Sequence, residues 1–287
     1  MNRLTLPVSV SKLIESIGDQ TTFTPKEIIR LVKDADIKKK DLMEFAHFDH
    51  DKKEGYGRHL VHKGKNFEIM VMSWAPLDAT AIHNHGYTEW GAVKTFGKLE
   101  HTSFEYKNSC LTTLFKEKLS KDEVIAVNQN LIHQMANFSG ENVISLHIYG
   151  TSLAVDGITD NSHLYELGKG EVQVVDGGVF YDLPKSEIAI ANNELYTDRL
   201  TLIGHYTSLL NHYLKTGERG PQYLKAINFF HDRSFESRLI TELEMDSKDV
   251  LYTIELRKAK KVLQKLSEST KTIDAILFEL SSIELYS

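Results

Sequence analysis

Apolar residues change their spacing twice along this chain. Over residues 9–17 and again over 26–33 they recur at helical intervals, so that Ile28, Ile29 and Val32 share a face. Thr24 ahead of Pro25 suits an N-cap followed by proline in the first turn. From Phe67 the pattern becomes that of strands. Phe67–Trp74 is almost continuously apolar, and short runs follow at 80–85, 89–95, 98–106, 111–119, 123–127, 133–137 and 143–149. Asn108-Ser109 and Ser139-Gly140-Glu141-Asn142 supply turns between them. Residues 171–175 and 178–181, joined through Asp176-Gly177, read as a closing hairpin.

Beyond Ser186 the helical spacing returns. Leu200, Ile203, Thr207, Leu210 and Leu214 line one face, Gly217 to Gly220 interrupts, and Pro221 opens a further helix. Leu256, Ala259, Leu263 and Leu266 repeat the stripe, as do Ile273, Ile276, Leu277 and Leu280. Short strands at regular spacing indicate a mainly β fold, a sandwich or barrel. The chain therefore reads as a short helical lead-in, a β-barrel and an added α-helical C-terminal region, divided into residues 1–185 and 186–287.

Composition narrows the functional classes. The 287 residues are 41% hydrophobic and 26% charged, ordinary for a globular chain. No apolar run approaches the roughly 20 residues of a membrane span, and Met1 to Pro7 lacks the apolar core of a signal peptide. The single cysteine, Cys110, excludes an internal disulfide and favours a reducing, cytoplasmic setting. A net charge of −6, with no basic block longer than Lys38-Lys39-Lys40, argues against nucleic acid as partner.

Among the thirteen histidines, His83 and His85 are separated by one residue. On a strand both imidazoles would point to one face, which in a barrel can be the lumen. Two imidazoles hold a catalytic metal poorly, and His133, on a second run with Asn137 four residues on, is the best third ligand. Glu89 and Gly97 follow the pair. The segment His83-Asn84-His85-Gly86-Tyr87-Thr88-Glu89 with Gly97 resembles the first motif of the cupin superfamily, with one extra residue before the glycine. His133-Gln134-Met135-Ala136-Asn137 resembles the end of the second.

A narrower resemblance covers roughly residues 10–182. Tyr56-Gly57-Arg58-His59-Leu60-Val61 is similar to the Tyr-x-Arg-Asn-Leu-Val segment of cysteine dioxygenases. The run from Asn66 to Trp74 resembles the strand that follows it, and Ser145-Leu146-His147-Ile148-Tyr149 resembles their Ser-Leu-His-Leu-Tyr. The resemblance implies a cupin-type barrel with Fe(II) on His83, His85 and His133, oxidising cysteine or a close small thiol with O2 to the sulfinic acid. It implies Arg58 as a clamp for the substrate carboxylate, with Tyr56 in the same polar pocket. Tyr149 would stand beside thiolate and oxygen, oriented by His147 and Ser145. Three neutral imidazoles leave the metal its full charge, which favours a thiolate ligand. Trp74 reads as barrel packing, and the remaining histidines, His101 included, as structural or surface groups.

Two departures bear on this. Trp90 stands where many animal members carry a cysteine crosslinked to the active-site tyrosine, so that crosslink is expected to be absent. Glu89 falls where other cupins place a fourth ligand. Strict alternation from His83 turns Glu89 inward, towards a three-His-one-Glu site and different chemistry; a bend at Gly86 turns it away. The Arg58 and Ser145-His147-Tyr149 matches favour the second arrangement. A third reading is a non-catalytic ligand-binding cupin whose amphipathic tail binds a partner. The same stripes suit homo-oligomerisation equally.

Overall fold

Thr24 caps a helix. In the computed structural model its hydroxyl accepts from the Glu27 N–H, and Glu27 accepts in return from the Thr24 N–H, opening α2 (Pro25–Asp34) with proline in its first turn. The structure describes residues 6–192, 194–231 and 250–270. It divides into two compact units, Met1–Asp198 and Arg199–Ser287. In the first, α1 (Val8–Ile17) precedes α2 and the single-turn α3 (Lys39–Leu42) follows. The strands are β1 (Gly57–Lys63), β2 (Phe67–Trp74), β3 (Trp90–Thr95), β4 (Leu99–Lys107), β5 (Cys110–Leu119), β6 (Val124–Val127), β7 (Ile132–Ala136), β8 (Val143–Gly150), β9 (Ser162–Glu166), β10 (Glu171–Val175), β11 (Ile188–Asn192) and β12 (Tyr196–Thr197).

They form three sheets, ordered β1-β2-β8-β3-β6, β12-β5-β4-β7 and β11-β10-β9. The fold is mainly β with helices before and after it, as the apolar spacing predicts. Asn108 and Ser109 both take positive φ, 52° and 60°, in the tight turn that joins β4 to β5.

The strands of the first sheet have two contrasting faces. Ile69 and Val71 on β2, and Ile144, Leu146 and Ile148 on β8, join Val10, Leu13, Ile28 and Val32 of the leading helices in one buried cluster. On the opposite face, Met70 lies across from His147 and Met72 across from Ser145. The period of two thus assigns β8 its apolar residues to the core and Ser145, His147 and Tyr149 to the cavity.

The structure corrects several sequence expectations. Residues 57–63 form a strand although no strand was expected before Phe67. As an edge strand with a bulge between Leu60 and His62, β1 shows no clean alternation. Residues 80–85, expected as a strand, make single bridges instead, His83 to His133 on one side and to Leu164 on the other. Residues 178–181 are no hairpin arm. Gly177 has φ of 102°, and the Val179 carbonyl accepts from the Ala81 N–H, so the chain crosses the barrel mouth while β10 pairs with β9 and β11. Residues 188–192 and 196–197, expected in the helical tail, are strands, and Ile188 and Ile190 carry the period of two that matches β10.

The second unit holds α4 (Arg199–Thr216), α5 (Pro221–His231) and α6 (Val250–Thr270). Gly217, at φ of 75°, closes α4 by donating to the Tyr213 carbonyl. Ile203 and Leu210 on α4, and Leu256, Ala259 and Leu266 on α6, are buried as their spacing requires. The stripe at Ile273, Ile276, Leu277 and Leu280 lies outside the described residues. Among the described residues no helix is long and apolar enough to cross a membrane.

Candidate metal centre

Three imidazoles meet inside the barrel. His83 comes from the bridged segment, His85 from two residues on, and His133 from β7. One ring nitrogen of each lies within 4.8 Å of the other two, and all three rings are buried. The three Nδ1 atoms are engaged elsewhere. Nδ1 of His83 donates to the Ala81 carbonyl at 2.9 Å and that of His85 to the Asn128 carbonyl at 3.1 Å. Nδ1 of His133 lies 3.0 Å from Nε2 of His101, whose own Nδ1 lies 2.9 Å from the Glu117 carboxylate. Each ring therefore directs an Nε2 lone pair to a common point. Nε2 of His85 is buried with no hydrogen-bond partner, an arrangement costly in itself and satisfied by a cation.

Burial keeps the rings neutral. It holds His83 down to about 4, against a partial offset from the Ala81 carbonyl. Burial, reinforced by the neighbouring imidazoles, places His85 and His133 well below the ordinary range. Neutral imidazole is the form that ligates a metal. The donor set fits a divalent transition metal, and among the described residues no carboxylate joins the cluster.

Glu89 is turned away from it. Gly86 takes φ of 52° in a turn that breaks the alternation after His85, and the Glu89 carboxylate accepts from the Ser152 hydroxyl at 2.6 Å and from the Ser152 N–H. Those bonds hold its pKa below the usual carboxylate range.

The other wall of the cavity comes from β8. Trp74 Nε1–H donates to Ser145 Oγ at 2.8 Å, Ser145 Oγ lies 2.7 Å from His147 Nε2, and His147 Nδ1 lies 2.7 Å from Tyr149 Oη. One protonation order gives the Ser145 and His147 protons each an acceptor within the run. Ser145 donates to His147, His147 donates to Tyr149, and the Tyr149 O–H is left to point into the cavity. The reverse order would strand the Ser145 proton among buried groups. Burial pushes Tyr149 up and His147 down to about 3, so both are neutral at pH 7.

Arg58, on β1, lines the same cavity and is half-buried. Its Nη2 faces the Met70 sulfur at 3.7 Å, and its Nε is buried with no partner. Among the described residues it forms no ion pair with a carboxylate, so the fork of donors is open to an anionic ligand. Tyr56 stacks on Trp74 with ring centroids 5.0 Å apart, and its hydroxyl accepts from the Val179 N–H at 3.4 Å. That bond ties Tyr56 to the segment crossing the mouth. The cavity has a volume of about 30 Å³.

The structure thus gathers Tyr56, Arg58, His83, His85, His133, His147 and Tyr149 around one cavity, with Ser145 one hydrogen bond behind. Trp74 both packs the barrel and anchors Ser145. Asn137 pins a loop, its amide donating to the carbonyls of Trp74, Ala75 and Glu141. Trp90 donates to the Thr21 carbonyl and belongs to the apolar cluster, and Cys110 is not among the cavity's lining residues. Sequence reasoning missed His101, Glu117 and Val179.

Comparison with solved structures finds partial likenesses. A double-stranded β-helix protein from Klebsiella pneumoniae matches at 13% identity over 39% of this chain and 88% of its own, with a TM-score of 0.31. A cupin superfamily protein from Desulfitobacterium hafniense matches at 13% identity over 34% and 78%, with a TM-score of 0.27. An oxalate oxidase with bound glycolate matches at 11% identity over 39% and 59%, with a TM-score of 0.33. Likenesses this partial identify neither ligand nor reaction. The family model of cysteine dioxygenase type I is more informative, matching residues 4–155. That span holds Arg58, the three histidines and the Ser145-His147-Tyr149 run, and the chain belongs to the cysteine dioxygenase type I family.

Proposed function

We propose that this protein is an iron-dependent thiol dioxygenase that oxidises cysteine, or a close small thiol bearing a carboxylate, to the sulfinic acid with both atoms of O2. The observation that carries the reading is a buried three-imidazole cluster with no carboxylate among the described residues, sharing a small cavity with the Tyr149 hydroxyl and with Arg58, which makes no ion pair among those residues. Fe(II) held on Nε2 of His83, His85 and His133 would supply the one-electron chemistry that O2 needs to react with a thiolate.

The chain's own residues account for the rest. Arg58 takes the substrate carboxylate in its forked donors, setting the direction from which the thiol approaches. Neutral imidazoles add no negative charge near the sulfur, which favours the thiolate. Tyr149 would donate a hydrogen bond through its O–H to the sulfinate oxygens while keeping its proton, and His147 and Ser145 fix the hydroxyl's direction. Tyr56 and the segment around Val179 narrow the mouth and limit water.

The test is O2 consumption by protein loaded with Fe(II), with cysteine, 3-mercaptopropionate and cysteamine as candidate substrates and mass spectrometry of the product. The expected result is one O2 consumed per sulfinate formed, fastest with a carboxylate-bearing thiol. Absence of O2 uptake with every small thiol, from protein shown to hold one iron per chain, would overturn the reading.

A further inference from the structure

We propose that His101 and Glu117 are positioning residues for His133, forming a carboxylate–imidazole–imidazole chain that fixes the tautomer and ring orientation of that metal ligand. The inference rests on the reading that His83, His85 and His133 hold a metal. Its basis is the sheet β12-β5-β4-β7. His133 on β7 lies opposite Ser103 on β4, and His101 opposite Met135. His101 and His133 are therefore diagonal neighbours on one face, within reach of long side chains. Glu117, on β5, lies directly opposite His101.

The protons can then be ordered along the chain. Glu117 is an acceptor, so His101 donates from Nδ1 at 2.9 Å and keeps Nε2 as an acceptor. His133 donates from Nδ1 to that Nε2 at 3.0 Å, which leaves its own Nε2 as a lone pair aimed at the cluster. His83 and His85 achieve the same result with backbone carbonyls, Ala81 and Asn128, which no substitution of a side chain removes. His133 has a replaceable partner. His101 is itself buried, with Phe115 packed edge-on at 6.1 Å, whereas the Glu117 side chain is 41% exposed and can be changed without opening the core. Orienting partners of this kind are commonly worth about 10–100-fold in metal affinity.

The experiment measures Co(II) affinity by chelator competition and visible absorption, and the His133 tautomer by nitrogen NMR of metal-free protein, for wild type, Glu117→Ala, His101→Phe and His101→Gln. Folding of each variant is checked by thermal melting. The expected result is a loss of about 10–100-fold for His101→Phe and a smaller loss for Glu117→Ala. His133 should then exchange between tautomers, and His101→Gln should recover affinity, because its amide oxygen can accept from His133. Unchanged Co(II) affinity and an unchanged His133 tautomer in folded Glu117→Ala would overturn the proposal, even if His101→Phe fails to fold. Failure of the wild type to bind Co(II) at all would instead overturn the metal-site reading beneath it.

Discussion

The two faces of the five-stranded sheet put the same backbone to opposite uses. On the face under the leading helices, Ile144, Leu146 and Ile148 bury apolar surface and carry no chemistry. On the face towards the cavity, the intervening Ser145, His147 and Tyr149 are equally buried yet polar, and each finds its partner within the run or on Trp74. The apolar face gains stability from area removed from water. The cavity face holds neutral imidazoles and a free hydroxyl in fixed directions, which serves a ligand. One strand therefore separates stability from function with a period of two.

Substitutions should divide along that line. The largest effect is expected from His83→Ala, which removes one of three converging nitrogens. Metal analysis should find binding lost and turnover abolished, while the melting temperature of the metal-free protein stays close to wild type. Leu146→Ala should do the reverse. Chemical denaturation should show a loss of about 2–5 kcal/mol, as for other fully buried leucines, with activity per folded molecule retained. Arg58→Lys keeps the charge but not the fork. It should lower kcat/KM for a carboxylate-bearing thiol by roughly 10–100-fold, the equivalent of about 1.5–3 kcal/mol for hydrogen bonds to a charged group, and leave metal content unchanged.

Acid should act on the cavity face through its buried neutral imidazoles, as it should on the buried His205 of the second unit. His83 and His147 have folded pKa values of about 4 and about 3, below the ordinary 6.5. Between those values the unfolded chain binds more protons, so their contribution is fully present above about 6.5 and is lost as the pH falls through about 4 for His83 and about 3 for His147. Melting curves of metal-free protein should decline from about pH 6.5 downward, earlier than carboxylate titration alone would produce. The smallest effect is expected from Glu89→Ala, which removes acceptors for Ser152 but no metal donor. Its metal content should equal wild type, with a stability loss of about 1 kcal/mol.

Much of this arrangement was legible in the residues. The capped α2, most barrel strands, the His83-x-His85 pair and the alternation of Ser145, His147 and Tyr149 all follow from local spacing. What stayed hidden depends on pairing across distance. His101 meets His133 only because β4 and β7 lie side by side, and nothing in the intervening residues announces it. Val179 reaches the mouth because Gly177 turns the chain away from β10, where Asp176-Gly177 reads equally well as a hairpin turn. Glu89 depended on whether Gly86 broke the alternation, which is a backbone angle rather than a residue type. β1 was obscured by its bulge and its edge position.

The most direct measurement is a crystal structure of the Fe(II)-loaded protein, prepared without oxygen in the presence of cysteine, with an anomalous difference map at the iron edge. The account predicts one peak among Nε2 of His83, His85 and His133, the cysteine carboxylate on Arg58 and Glu89 still bonded to Ser152. A peak elsewhere, or a Glu89 carboxylate swung onto the iron, would contradict it.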